Sequence, residues 1–124
     1  MHELGLSEGI LRAALATPRV TRRNLRGLTV KVGALSGASV SALEFCLNVV
    51  LEDGDMTDVQ VRVEEAPARL RCDCGHEYSP PSIFEGCPKC GGFDREVLDG
   101  QDVTLESIEV DDGEDQGQAS GAGP

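Results

Sequence analysis

The sequence predicts an α/β protein with two helices and three strands, interrupted by a cysteine-rich segment before the last strand. Two stretches repeat apolar residues at the spacing of an amphipathic helix, and three alternate apolar and polar residues as half-buried strands do. Four of the five cysteines lie within residues 72–90, in a segment with little apolar material of its own. At 124 residues the chain is long enough for one small domain with a smaller insert.

The first helix is predicted over residues 4–16 and ends before Pro18, since proline breaks the hydrogen-bonding pattern of a helix. Its predicted buried face consists of Leu4, Ile10, Leu11, Ala14 and Leu15. The stretch that follows, PRVTRRNLRG, is polar and rich in arginine. We interpret it as a solvated loop, because cations suit the C-terminal end of a helix and no aromatic residues alternate with the arginines. A docking patch for an acidic partner stays open as the alternative.

The first strand and the second helix come next. One face of the strand LTVKVGALSG is predicted to carry Leu28, Val30, Val32 and Ala34. Ser41 and Glu44 have the spacing of a capping box, which predicts that the helix begins there. The apolar stripe of this helix is predicted to be Leu43, Cys46, Leu47, Val50 and Leu51. We expect Cys46 to pack in the core, since free cysteine is among the most buried residue types.

Two further strands are predicted, DVQVRVEEAP and DVTLESIEV. The first alternates regularly and places Val59, Val61 and Val63 inward. In the second strand the apolar residues change parity between Leu105 and Ile108. A β-bulge near residues 106–107 would return them to one buried face.

Charge and composition exclude several classes of function. The formal net charge is −11, and four acidic residues lie between Asp111 and Asp115. Such a surface repels nucleic acid and anionic membranes. The sequence has no apolar run long enough to span a membrane and no signal peptide, so we expect a cytoplasmic protein. Residues 111–124 are predicted to be a disordered acidic tail, because they lack apolar periodicity.

The cysteine-rich segment predicts a structural zinc site. Its four cysteines are arranged in two pairs, Cys72 with Cys74 and Cys87 with Cys90. Four thiolates satisfy tetrahedral Zn(II), and CPKCGG is typical of a zinc-ribbon knuckle. The first pair has one intervening residue where ribbons usually have two. His76 lies close enough to be an alternative ligand or to support the site from outside, or else it is a solvated loop residue.

Other interpretations of these cysteines are weaker. Thiols stay reduced in the cytoplasm, which argues against disulfides. An iron–sulfur cluster would also take four thiolates, but a small ribbon between two strands is more often a zinc site. A redox pair would need a thioredoxin-like context, which the sequence does not show around CPKC. A zinc ion with all four positions filled has no open site for a reacting water, so we expect no enzymatic activity.

The opening MHELGLSEGIL raises a second metal hypothesis. A free N-terminal amine, the amide nitrogen of His2 and its imidazole can close two adjoining chelate rings. With one more donor they form a planar site, which suits Ni(II) or Cu(II) rather than Zn(II). Glu3 could add a carboxylate oxygen or orient the imidazole through a hydrogen bond. By this chemistry alone, an exposed histidine without a ligand role is the more common situation.

Four segments, taken in order, resemble the HypA family of nickel-delivery proteins for [NiFe]-hydrogenase maturation. They are the opening MHELGLSEGIL, the strand region VTRRNLRGLTVKVGALSG, the helix ALEFCLNVVLEDG, and the cysteine-rich insert followed by LESIEV. The resemblance extends from residue 1 to about residue 110 and leaves the acidic tail unmatched. Gly91 stands where some members of the family have a histidine after the last cysteine.

The resemblance implies a small three-stranded sheet with two helices, an α+β nickel domain formed by residues 1–67 and 99–110. It implies a zinc-ribbon domain over residues 68–98. Ni(II), as cargo, would be bound by Met1, His2 and Glu3. Structural Zn(II) would be bound by Cys72, Cys74, Cys87 and Cys90.

The implied function is delivery of nickel to the hydrogenase large-subunit precursor, with a HypB-type GTPase as a second partner. Two other hypotheses stay open. One is a zinc-ribbon interaction adaptor without a nickel role, and the other is an acidic regulatory protein. The sequence leaves open whether the chain forms a homodimer.

Overall fold

In its described residues, the protein folds into two helices and six strands. The structure, a computed structural model, describes residues 2–80 and 84–111. The helices are α1 (His2–Leu15) and α2 (Val40–Asp53). The strands are β1 (Leu25–Gly33), β2 (Gln60–Ala66), β3 (Arg69–Cys72), β4 (Glu77–Tyr78), β5 (Arg95–Asp99) and β6 (Val103–Val110).

The larger sheet has the strand order β2–β1–β6. β2 runs parallel to β1, as expected for two strands joined through a helix, and β6 runs antiparallel to β1. Leu28, Val30 and Val32 of β1 are all buried, while Thr29 and Lys31 on the opposite face are partly exposed. The two helices therefore cover one face of the sheet, and the other face is open to solvent. This arrangement is the predicted α+β class.

The main core lies between the helices and β1. α2 contributes Leu43, Leu47 and Leu51, each at most 2% exposed. Ile10 of α1 packs in the same cluster as Leu43 and Leu47. The periodicity of the sequence correctly predicted these three leucines. The expectation that Cys46 packs in the core is wrong, because its position at the side of the stripe leaves it only half-buried.

The predicted β-bulge in the last strand is confirmed. Thr29 pairs with Ser107 and Val30 pairs with Leu105, so Glu106 has no partner in the ladder. The extra residue corrects the change in parity, and Leu105 and Ile108 both pack against the core.

Several details of the predicted helices and of the first strand are wrong. α1 begins two residues earlier than expected. Leu4, expected on the buried face, is 38% exposed, and Ser7, one turn later in the helix, is fully buried instead. Ser7 tolerates burial because its hydroxyl donates to the carbonyl oxygen of Glu3 at 2.7 Å. β1 begins at Leu25, three residues before the expected start, and Ala34 lies beyond its end and is exposed.

The expected capping box of α2 is also absent. The N-cap is Ser39 rather than Ser41, and its hydroxyl accepts the N–H of Ala42 at 3.2 Å. A capping box needs Glu or Gln three residues after the N-cap, and that position is Ala42. The helix therefore has no capping box of its own.

The cysteine-rich segment forms a second sheet, of strand order β4–β3–β5. Leu70 and Ala68 are buried in it, together with Cys72 and Cys87. The segment joins the larger sheet at the end of β1, where Gly33 and Leu35 donate to the carbonyl oxygens of Asp102 and Gly100. A side chain at Gly33 would collide with the backbone oxygen of Gly100, which explains the glycine at this crossing.

Some expectations fall partly or wholly outside the structure. The acidic tail lies outside the described residues from Asp112 onward. Within residues 2–80 and 84–111, no helix has the length and apolar character needed to cross a membrane. The boundaries of the two domains stay a prediction.

Candidate metal centres

The four predicted zinc ligands come together in one cluster. Cys72 is the last residue of β3, Cys74 lies in the β3–β4 turn, and Cys87 and Cys90 lie in the loop before β5. Their Sγ atoms all lie within 4.8 Å of one another. The cluster thus unites the two halves of the segment around one point.

The spacing of the sulfurs fits a tetrahedral zinc ion. With Zn–S bonds of about 2.3 Å, ideal tetrahedral geometry places the sulfurs about 3.8 Å apart. Cys74 and Cys87 are 3.8 Å apart at Sγ, and Cys72 and Cys90 are 3.4 Å apart. The four cysteines are free thiols, so the arrangement is a donor set for a metal rather than a pair of disulfides.

The second knuckle has the geometry that its sequence predicts. The backbone N–H of Lys89 points at Cys87 Sγ, and that of Gly92 points at Cys90 Sγ, both at 3.4 Å. Gly91 has φ +77°, a conformation that favours glycine. Such N–H donors stabilise thiolates and orient them towards a metal.

The first knuckle, formed by Cys72 and Cys74, brings its two sulfurs into the cluster with one residue between the cysteines. The chain reverses directly after β3, where the N–H of Gly75 donates to the carbonyl oxygen of Cys72 at 2.8 Å. Gly75 has φ +95°, which permits this tight reversal. The carbonyl oxygen of His76 then accepts the N–H of Cys72 at 2.9 Å. The turn therefore brings Cys74 back beside Cys72 without the usual second spacer residue.

The surroundings of the sulfur cluster shift the pKa values of two thiols in opposite directions. The N–H of Cys74 lowers the pKa of Cys72, but burial and hydrogen bonds from neighbouring thiols outweigh it and raise this pKa to about 12. Burial raises the pKa of Cys87, but the N–H groups of Cys90 and Lys89 outweigh it and lower this pKa to about 7. A divalent cation at the centre would supply the positive charge that four adjacent thiolates require.

His76 contributes to this region in a way that the sequence did not indicate. Its imidazole stacks on the ring of Tyr78, with centroids 6.0 Å apart and planes 6° from parallel. In the described part of the chain, the ligand atoms that gather around one point are the four sulfurs. The backbone carbonyl of His76 accepts the hydrogen bond that closes the first knuckle. A role for its imidazole at the metal stays a prediction.

The predicted nickel site lies at the start of α1. His2 is the first residue of the helix and is exposed. It lies at one end of an open, mostly apolar groove between α1 and β6, which Leu6, Ile10 and Leu105 also line. Met1 lies outside the described residues, so the structure neither supports nor contradicts its role.

Glu3 connects the start of α1 to the start of α2. Its Oε2 accepts the backbone N–H of Ser39 at 3.0 Å, across 36 residues of sequence. This hydrogen bond is the largest cause of a lowered pKa at Glu3, and its neighbour His2 contributes to the same shift. Glu3 thus performs the task that the capping box assigned to Glu44. Sequence patterns did not reveal it, since they compare residues only a few positions apart.

Comparison with known proteins places these features in a family. Residues 1–110 match the family model described as HypA, hydrogenase/urease nickel incorporation metallochaperone. A hydrogenase maturation factor HypA from a Picosynechococcus species is 32% identical over 112 residues, covering 89% of this chain and 99% of that protein. The protein of that name from Dehalococcoides mccartyi is 30% identical over 114 residues, covering 90% and 96%.

A solved structure has the same fold. The Ni metallochaperone HypA from Helicobacter pylori, determined in solution, matches with a TM-score of 0.61 and 18% identity. The match covers 87% of this chain and 96% of that one. At this identity the comparison supports the fold, while the family assignment depends on the sequence matches.

Proposed function

We propose a function in nickel delivery, because the chain belongs to the HypA family of metallochaperones for nickel incorporation into hydrogenase or urease. In this proposal the chain binds Ni(II) at an N-terminal site formed by Met1, His2 and Glu3 and transfers it to the large-subunit precursor of a [NiFe]-hydrogenase. The family description is of a metallochaperone and not of an enzyme. The observation that carries the proposal is the position of His2, exposed at the N-terminal end of a helix.

The helix start favours metal binding by backbone nitrogen. The first four N–H groups of an α-helix have no carbonyl partner within the helix. Because α1 begins at His2, its amide nitrogen can bind nickel without breaking a hydrogen bond of the helix. The partial positive charge of a helix N-terminus also stabilises a deprotonated amide. The amine, this amide and the imidazole would supply three of the four donors of a planar site.

Glu3 has two tasks in the proposed site. Its backbone is adjacent to the chelating residues, and its carboxylate is engaged by Ser39. A carboxylate held there adds negative charge close to a bound cation and fixes the direction of the first helical turn. We therefore propose that Glu3 supports the nickel site mainly by position.

The zinc site is proposed to be structural. All four ligand positions would be filled by sulfur, which leaves no coordination position for cargo or for a reacting water. Zinc would link the β3–β4 turn to the loop before β5 and so stabilise the smaller sheet. The ribbon would then offer a fixed surface to protein partners, of which a HypB-type GTPase and the hydrogenase precursor are the proposed ones. We propose a cytoplasmic location, where the five free thiols stay reduced.

Nickel titration of the zinc-loaded, untagged protein tests the proposal. Visible d–d absorption reports the geometry of the bound ion, and calorimetry reports the stoichiometry. The test variants are His2→Ala and an N-acetylated form, which remove the imidazole and the amine. His76→Ala is the matched control, since it removes the second of the two histidines in the chain.

We expect one planar Ni(II) per chain in the wild type and in His76→Ala, and loss of that site in both test variants. If all forms bind nickel alike, or if none binds it, the N-terminal site is wrong. The zinc-ribbon adaptor without a nickel role would then be the better account.

A further inference from the structure

A cluster of four arginines lies beside the end of the last strand. Four of the 11 basic residues of the chain fall within eight positions, and we name Arg19, Arg22, Arg23 and Arg26 the arginine cluster. They belong to the loop between α1 and β1 and to the beginning of β1. The rest of the chain is strongly acidic, so this cluster is an exception that the nickel and zinc sites do not explain.

Hydrogen bonds give the arginine loop a defined shape. The side-chain amide of Asn24 donates to the carbonyl oxygen of Arg19 at 2.7 Å, and its oxygen accepts the N–H of Thr21 at 2.8 Å. The hydroxyl of Thr21 accepts the N–H of Asn24 at 3.1 Å. The guanidinium groups therefore extend from an ordered platform, which reduces the entropy lost when the cluster binds a ligand.

The chain leaves β6 on this platform. The N–H of Asp111 donates to the carbonyl oxygen of Asn24 at 2.7 Å, and its carboxylate lies 3.7 Å from Arg26. Asp112, Glu114 and Asp115 follow, with no lysine or arginine in residues 111–124. Since each residue spans at most about 3.5 Å, the Cα of Asp115 stays within about 14 Å of Asp111.

Among the described residues, three of the four arginines have no carboxylate partner, although Arg22 donates to the carbonyl oxygen of Gly54 at 3.4 Å. In residues 2–80 and 84–111, no ion pair joins Arg19, Arg22 or Arg23 to a carboxylate. Asp55 and Asp58 line the same shallow cavity as Arg22, Arg23 and Arg26 and offset part of the charge. The family model matches residues 1–110, so the acidic residues that follow are additional to the region that defines the family.

We propose that the acidic segment of this chain, residues 111–115, binds back onto its own arginine cluster and covers it. Asp111 provides the first contact. In this proposal the next three carboxylates would pair with the guanidinium groups of Arg19, Arg22 and Arg23. Each exposed pair is weak and screened by salt. The tether compensates for this, because a directly linked segment has an effective concentration on the order of millimolar.

Amide NMR of the full-length, zinc-loaded chain tests this contact. The test variant is Asp112→Asn, Glu114→Gln and Asp115→Asn combined, which removes the charge and keeps the length. The matched control neutralises three exposed acidic residues on other surfaces, Glu8→Gln, Glu44→Gln and Glu106→Gln. We expect the test variant to shift the backbone amides and arginine Nε–H signals of residues 19–26, and the control to leave them unchanged. The shifts should shrink several-fold at about 0.5 M salt, where charges are screened beyond a few ångströms.

A competition experiment identifies the occupant. A peptide with the sequence of residues 111–117, DDGEDQG, is titrated into the wild type and the test variant. We expect it to perturb residues 19–26 in the test variant at several-fold lower concentration than in the wild type, because the tethered segment competes with it. Shifts confined to residues 110–111, or equal peptide binding by both chains, would overturn the proposal. A wild-type signal that changes with protein concentration would instead assign the occupant to a second copy.

Discussion

Replacing Cys72 by serine tests the zinc site most directly. Cys72 is 4% exposed and its Sγ lies 3.4 Å from that of Cys90, so the substitution replaces a buried sulfur of the cluster by a hydroxyl. Structural zinc sites in zinc-finger peptides bind with about 10–16 kcal/mol, which is roughly 2.5–4 kcal/mol for each of four ligands. At about 1.4 kcal/mol per factor of ten, we expect Cys72→Ser to weaken zinc binding by roughly two to three orders of magnitude.

Zinc competition with a chromophoric chelator measures this loss, and hydrogen exchange reports its structural consequence. We expect faster exchange at the β3–β5 ladder, from Arg69 to Cys72, and little change in α2. Cys46→Ser is the matched control, because Cys46 is half-buried on α2 and lies outside the sulfur cluster. Equal zinc affinity in Cys72→Ser and wild type, or equal weakening in Cys46→Ser, would refute the four-sulfur assignment.

Three further predictions concern the fold that presents the N-terminus. In chemical denaturation, Leu47→Ala should lower the free energy of unfolding by about 2–5 kcal/mol, because Leu47 is fully buried. Phe45 lies on the same helix but is 69% exposed, so Phe45→Ala should change this free energy by less than about 0.5 kcal/mol. Gly33→Ala should lower the melting temperature because its Cβ meets backbone, whereas Gly9→Ala, with open space around it, should raise it. The hydrogen bond from Ser39 lowers the pKa of Glu3 from its ordinary 4.5, so the stability that the ionised carboxylate contributes is complete above pH 4.5 and is lost as the pH falls through the lowered pKa. The amide NMR shifts at the start of α2 should therefore change on acidification in the wild type, and Glu3→Gln should abolish this change.

Local patterns predicted what depends on local periodicity. The three buried leucines of α2 were predicted correctly because helical spacing and apolar character determine them. The bulge at Glu106 was correct for the same reason, since a change of parity in a strand has few physical remedies. Both features could be read from the residues that form them.

Longer-range contacts decided the features that local patterns missed. The N-cap of α2 is Ser39 because Glu3, on the other helix, accepts its N–H. Ser41 and Glu44 have the spacing of a capping box, but the observed cap at Ser39 uses the carboxylate of Glu3 from the other helix. In the smaller sheet, strands of two to five residues are too short for a periodic signal, so only its cysteines could be recognised.

The two proposed metal sites differ in ways that suit different tasks. The sulfur cluster is formed by two crossed knuckles, with Cys72 and Cys87 buried and N–H donors directed at the sulfurs of the second knuckle. A metal held there would be bound by residues from both the β3–β4 turn and the loop before β5, although Cys74 and Cys90 are exposed. The proposed nickel site starts at exposed His2, where incoming ligands can approach from solvent or along the groove beside β6. In the proposed function, a partner would replace the nickel ligands one at a time while Glu3 keeps the first turn attached to α2. Retention and delivery would thus be separated within one small chain, because one site has four sulfurs from two segments of the fold and the other is an exposed helix start.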